Sequence, residues 1–156
     1  MIRIIQKLWW QKMIRINLEN PPRDVRINRE DKIKYKYLRE RFKTDSDKEI
    51  FKLALRMGFF KEIQEDLKQK PEHMWQFSTF SNEDVIEMVL ISRYKKEDVG
   101  KIFEGKEVLN ECERYANGGI NYLYNLFIEG GKEDIYIVED ILNDMRKLVK
   151  DTLIFL

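Results

Sequence analysis

Two adjacent glycines, Gly118 and Gly119, stand inside a stretch that otherwise has the pattern of a strong amphipathic helix. A glycine inside a helix costs about 1 kcal/mol relative to alanine, so the pair needs a structural reason. Ala116 and Gly119 lie three residues apart on one side, which favours an unbroken helix that another backbone approaches closely. The alternative is that the glycines end one helix and begin the next. The apolar face comprises Val108, Leu109, Cys112, Tyr115, Ala116, Ile120, Leu123, Leu126 and Phe127.

The same stretch carries a family resemblance. The run Tyr115-Ala116-Asn117-Gly118-Gly119-Ile120, after an acidic segment, resembles the small accessory protein family found with DNA phosphorothioation (Dnd) gene clusters, the Dnd-associated protein 4 family. The resemblance covers roughly residues 27–127. It implies a cytoplasmic protein linked to DNA modification or to defence against foreign DNA, and it implies no known catalytic residue. Three other segments fit the family: the helix from Asp47 to Phe60, Trp75-Gln76-Phe77, and the apolar helix from Asp84 to Tyr94.

Length and composition indicate an intracellular, soluble protein. The 156 residues suit one domain, 21–156, preceded by a basic amphipathic arm, 1–20, with Met13 as an alternative start. Charged residues make up 37% of the chain, which favours a thermophilic source. The single cysteine excludes an intrachain disulfide. We find neither a signal peptide nor an apolar run long enough to span a bilayer, so we expect a cytoplasmic location without a membrane partner.

The charge is distributed unevenly along the chain. Residues 1–43 hold 13 Lys/Arg and 5 Asp/Glu, a net charge of +8, and the remainder carries −7. Such a basic segment is typical of a surface that meets an anion, either nucleic acid or an acidic protein. The alternative is that it packs on the acidic body of its own fold or of a second subunit. The candidate DNA-binding residues are Arg23, Arg26, Asn28, Arg29, Lys32, Lys34 and Lys36.

The periodicity predicts a mainly α fold, a compact bundle of five to seven helices with at most one short strand near residues 24–28. Helices are predicted over 30–43, from Asp47 to Gly58 or a bend there, from Asp84 through a buried run 85–91, near 97–103, across the glycine pair, and over 133–150. Residues 72–80 are predicted to form an aromatic loop over the core.

The order strand, helix, turn, helix over residues 24–58 resembles the ribbon-helix-helix DNA-binding module. Val25 and Ile27 would face the core, whereas Arg26 and Asn28 would face outward, where such side chains can read guanine and adenine. The acidic start of the second helix, with Asp47, counts against phosphate binding there.

The residues for common catalytic chemistry are sparse. His73 is the single histidine, and Cys112 falls on a predicted buried face, where cysteine is usually an inert small hydrophobe. A metal site would need several converging ligands, and no phosphate-binding glycine loop is present. We therefore expect no enzymatic activity, no metal and no cofactor.

The resulting hypothesis is a non-enzymatic accessory subunit of a DNA-modification or anti-phage defence system. It would dock on larger proteins and contact DNA through its basic N-terminal third. The alternatives are a ribbon-helix-helix-like DNA-binding regulator and a helical protein–protein adaptor without a nucleic-acid role. Apolar residues at both ends, including Trp9 and Phe155, also predict self-association or a need for a partner.

Overall fold

The computed structural model describes residues 17–94, 102–130 and 133–154. Within these ranges the mainly α class is confirmed, but the expectation of at most one short strand is wrong, because four strands form two small sheets. The helices are α1 (Lys32–Phe42), α2 (Asp47–Lys61), α3 (Asn82–Arg93), α4 (Gly105–Glu129) and α5 (Asp134–Ile154). The strands are β1 (Asn17–Glu19), β2 (Asp24–Ile27), β3 (Glu72–Gln76) and β4 (Ile102–Glu104).

The strands that the periodicity missed are short and paired with distant partners. Strands β1 and β4 run parallel, with Leu18 opposite Phe103. Strand β3 pairs with β2 and occupies the segment predicted to be an aromatic loop. Three to five residues offer too little alternation to be distinguished from a loop. The helix predicted near 97–103 is wrong over Ile102 and Phe103, and residues 97–101 lie outside the described ranges.

Two serines set the starts of α2 and α3. The Ser46 hydroxyl accepts a hydrogen bond from the Glu49 backbone N–H, and α2 begins at Asp47 as predicted. Ser81 and Asp84 exchange side chain–backbone hydrogen bonds in a full capping box before α3. Both starts are therefore encoded locally.

Helices α1 and α3 are each buried on one face only, although the run 85–91 of α3 was predicted to be buried throughout. In α1 the buried apolar side chains are Tyr35 and Leu38, whereas Ile33 is 70% exposed. In α3 the run 85–91 is not uniformly buried, because Leu90 is 43% exposed while Met88 and Val89 form core. One face of each helix packs and the other meets solvent.

The chain divides into two compact units. Among the described residues, the first unit contains 17–25 and 75–112, and its core includes Phe77, Met88 and Leu109. The second contains 26–74 and 113–154, and its core includes Phe51 and Ile120. Helix α4 supplies residues to both units. The predicted division into an arm and one domain stays a prediction, and residues 1–16 of that arm lie outside the described ranges.

Candidate functional site

The glycine pair lies at the crossing of α2 and α4. Helix α4 runs unbroken through Gly118 and Gly119, and both are buried, so the prediction of a tightly packed helix is confirmed. A Cβ atom at Gly119 would overlap the Ala54 carbonyl oxygen and come 2.9 Å from the Gly58 nitrogen. A Cβ atom at Gly58 would in turn overlap the Tyr115 carbonyl oxygen. Gly58 thus allows the close approach and does not end α2, which continues to Lys61.

The residues around the glycine pair hold the segment that follows α2. A Cβ atom at Gly118 would come 2.5 Å from the Ile63 carbonyl oxygen. The buried Asn117 amide donates to the Glu65 carbonyl oxygen at 3.2 Å, and the Glu65 backbone N–H donates to the Arg114 carbonyl oxygen at 3.0 Å. The Asn121 amide donates to the Glu65 carboxylate at 2.6 Å. The motif Tyr115–Gly119 is therefore explained by packing and backbone hydrogen bonding.

One turn before the glycine pair, α4 carries a buried carboxylate. The Glu113 side chain is fully buried and accepts three hydrogen bonds from Arg26 of β2. Glu113 Oε1 binds the Arg26 Nη2 at 2.8 Å, while Oε2 binds the backbone N–H at 2.7 Å and Nε at 3.3 Å. Burial raises the pKa of Glu113 above its ordinary value, and the hydrogen bonds and charge of Arg26 oppose that rise.

A second buried carboxylate lies at the start of α1. Asp31 is 1% exposed, and its Oδ1 binds the Lys34 ammonium at 2.9 Å. Lys34 also donates to the Asn121 side-chain oxygen on α4. Asp31 Oδ2 and the Tyr35 hydroxyl, both buried, have no hydrogen-bond partner among the residues that the structure describes. Burial raises the pKa of Tyr35 well above its ordinary value, and the negative charge of Asp31 adds to the rise.

Three of the seven candidate DNA-binding residues bind buried groups or backbone of the protein itself. Arg26 is bound to Glu113, and Lys34 to Asp31. The expectation that Asn28 faces outward is wrong, because it is 3% exposed and its side-chain oxygen accepts a hydrogen bond from the Lys68 backbone N–H at 2.8 Å. The ribbon-helix-helix order is present locally, but the residues expected to read bases serve the fold.

The other four candidates, Arg23, Arg29, Lys32 and Lys36, are exposed. In the first unit, the Arg23 side chain is 91% exposed, and its ion pair with Asp24 is long, at 3.9 Å. In the second unit, Arg29 and Lys32 share one carboxylate: Glu72 lies 3.6 Å from the Arg29 Nε and 3.1 Å from the Lys32 Nζ. Two cations on one carboxylate leave a local excess of positive charge.

Cys112 and His73 lie in different environments. Cys112 is buried, and its thiol donates to the Met88 carbonyl oxygen at 3.3 Å, as suits the predicted structural role. His73 is exposed on β3. Within residues 17–94, 102–130 and 133–154, no three His, Cys, Asp or Glu side chains are grouped so that they could hold a metal ion.

No helix among the described residues is long and apolar enough to cross a membrane.

Comparison with protein-family models, curated proteins and solved structures gave no match.

The sequence patterns missed Glu113 and Asp31, because charged residues are normally assigned to solvent. One signal could have found Glu113. It lies four residues after Leu109 and three before Ala116, both buried, so the helical repeat places it on the core face. The partner of a charge on such a face cannot be read from local spacing, since Arg26 is 87 residues away.

Proposed function

We propose that this protein is a non-enzymatic, cytoplasmic accessory subunit of a DNA-modification or anti-phage defence system. It docks on larger protein partners and contacts DNA through exposed cations of its basic N-terminal third. The family resemblance over residues 27–127 supplies the biological context. The observation that carries the DNA contact is the pair Arg29 and Lys32, which share the single carboxylate of Glu72.

The form of binding follows from this geometry. Arg29 lies in the short 3-10 turn that precedes α1, and Lys32 is the first residue of α1. Their side chains are 69% and 55% exposed, and Lys36 is exposed one turn further along α1. Cations in this arrangement can follow a phosphate backbone but do not form a base-reading surface. We therefore expect weak binding without sequence preference. The affinity should fall as the salt concentration rises, because release of counterions from the DNA is then less favourable.

DNA titration by fluorescence anisotropy at low and rising salt tests this proposal. The double variant Arg29→Glu/Lys32→Glu should lose binding and flatten the salt dependence. The control Lys61→Glu/Lys106→Glu makes the same charge change at exposed lysines elsewhere and should keep most of the affinity. Arg26 is unsuited to this test, since glutamate there would place a like charge against Glu113.

The result distinguishes the proposed function from its alternatives. Equal binding by both double variants would show that Arg29 and Lys32 do not contact the DNA. No binding of the wild type to single- or double-stranded DNA at low salt would leave the protein–protein adaptor as the better hypothesis. The docking half of the proposal is tested by affinity capture from the native host, with subunits of a DNA-modification system as the expected partners.

A ribbon-helix-helix regulator is the weaker alternative. In that module, strands of two subunits pair to enter the major groove. Here β2 pairs with β3 of its own chain, and its Arg26 is held by Glu113. A sequence-specific operator selected from a random DNA library would overturn this ranking.

A further inference from the structure

Helix α5 has apolar residues on two faces, and only one of them is packed. Ile137 and Ile141 are 5% and 2% exposed and belong to the core of the second unit. Asp134, at the start of the helix, lies 3.5 Å from the Arg41 Nε of α1, the helix that α5 contacts. On the other face, Ile135 and Leu142 are 62% and 42% exposed. Because these two side chains lie on the same side of the helix, they form part of an apolar surface that a partner can cover.

The exposed face has the spacing of a coiled-coil seam. Ile135, Val138, Leu142 and Met145 follow one another at intervals of three, four and three residues. These are the a and d positions of a heptad, which place apolar side chains along one line of a helix. Val138 and Met145 are half-buried, so the seam continues between the two exposed residues. The helix spans 21 residues, about 30 Å, enough for several such layers.

The charges along α5 identify the partner as a second copy in antiparallel orientation. The first eleven residues carry four exposed acidic side chains, Asp134, Glu139, Asp140 and Asp144. Arg146 and Lys147, which follow Met145, are exposed and basic. Two copies running in opposite directions bring each acidic half against a basic half. A parallel pair would instead place like charges together. A two-fold axis requires such self-complementarity.

We propose that two copies of this chain associate through the exposed face of α5, as an antiparallel helix pair. In the register that overlaps the helices along their whole length, Leu142 packs beside Met145 of the partner subunit. Glu139 and Arg146 are both e positions, and they come together twice across the two-fold axis. This proposal does not depend on the proposed DNA contact, which is made by Arg29 and Lys32.

Sedimentation equilibrium over a range of concentrations tests the interface. The wild type should show a reversible monomer–dimer equilibrium, and Leu142→Glu should shift it to monomer. Because Leu142 is partly exposed, that variant should keep the wild-type circular dichroism and melting temperature. As a control, Leu90→Glu changes an equally exposed leucine on α3 and should leave dimerisation unchanged.

Charge exchange tests the orientation. Glu139→Arg or Arg146→Glu alone should each weaken dimerisation by about tenfold, since either creates two like-charge contacts. The double variant Glu139→Arg/Arg146→Glu should restore it. An equimolar mixture of the two single variants should form the heterodimer in preference to either homodimer, because both contacts are then of opposite charge.

Two outcomes would overturn the proposal. One is a wild type that stays monomeric at submillimolar concentration. The other is a dimer that is insensitive to Leu142→Glu. If the wild type is monomeric and its residues 1–16 become sensitive to trypsin in Leu142→Glu, the face is covered by the protein's own N-terminal segment.

Discussion

Glu113 holds Arg26 through both the guanidinium group and the backbone N–H. The carboxylate is completely buried, whereas the arginine side chain is one-third exposed. This contact joins a strand to a helix 87 residues away within the second unit. The pair therefore belongs to the fold, although Arg26 was predicted to meet DNA.

Removing the arginine should be costly. Arg26→Ala leaves the buried Glu113 carboxylate without its cation, and loss of one partner of a buried pair costs about 3 kcal/mol or more. We expect a decrease in the free energy of unfolding near that lower bound, because Arg26 is partly exposed and Glu113 can take up a proton. Arg29 is exposed and its contact to Glu72 is long, so Arg29→Ala should lower the free energy of unfolding by less than about 1 kcal/mol. Urea denaturation of both variants measures the difference, and equal losses would contradict the assignment.

The pair also predicts an unusual pH dependence. Burial raises the pKa of Glu113 above the ordinary value of 4.5, so the folded state binds this proton more tightly than the unfolded state. The contribution of Glu113 to the free energy of unfolding should then fall as pH rises from about 4.5 through the folded-state pKa, and stay constant above it. Glu113→Gln removes this titration. The stability of the wild type relative to that variant should decline over this range, and a rise would mean that Arg26 outweighs burial.

The close crossing of α2 and α4 predicts that replacing Gly119 by alanine will destabilise the protein. At an exposed helix position, replacing glycine by alanine stabilises by about 1 kcal/mol. Gly119→Ala should instead destabilise, by about 1–3 kcal/mol or more, because the methyl group meets the Ala54 carbonyl oxygen and α2 must move away. Gly119→Leu should be worse. Asn125→Leu provides the control at an exposed position of α4. An unchanged melting temperature for Gly119→Ala would remove the packing explanation of the motif.

Tyr35 should tolerate loss of its hydroxyl. That group is buried and lacks a hydrogen-bond partner among the described residues, and a polar group left unsatisfied in this way costs about 1–3 kcal/mol. Tyr35→Phe keeps the ring and removes the cost, so the variant should be as stable as the wild type or more stable. Thermal denaturation checks this. A lower melting temperature would show that the hydroxyl has a partner, such as an ordered water molecule.

The features that could be predicted from the sequence are those encoded within a few residues. Ser46 and Ser81 mark helix starts because a capping hydroxyl acts on the backbone three residues away. The glycine pair indicated a close approach because its cost inside a helix demanded compensation. The partner helix was not predictable, since nothing near Gly119 identifies Ala54 as the residue that it meets.

The features that escaped prediction depend on distant pairs. Strands β1 and β4 join residues 17–19 to 102–104, and three residues carry too little pattern to reveal either one. Reading Arg26 and Asn28 as DNA contacts assumed that polar residues on a strand face solvent. Arg26 instead binds a buried carboxylate, and Asn28 binds the backbone N–H of Lys68. The spacing of apolar residues carries no information about such polar contacts.

The bond from the Arg26 backbone N–H to the Glu113 carboxylate has a consequence for aggregation. A two-stranded sheet has open edges, and open edges can recruit strands from other molecules. On β2, the Arg26 N–H is already satisfied at 2.7 Å by a side chain, so a visiting strand finds no donor there. Glu113 thereby protects the sheet edge. Replacing Glu113 should therefore give faster fibril formation on prolonged heating, as well as a lower free energy of unfolding.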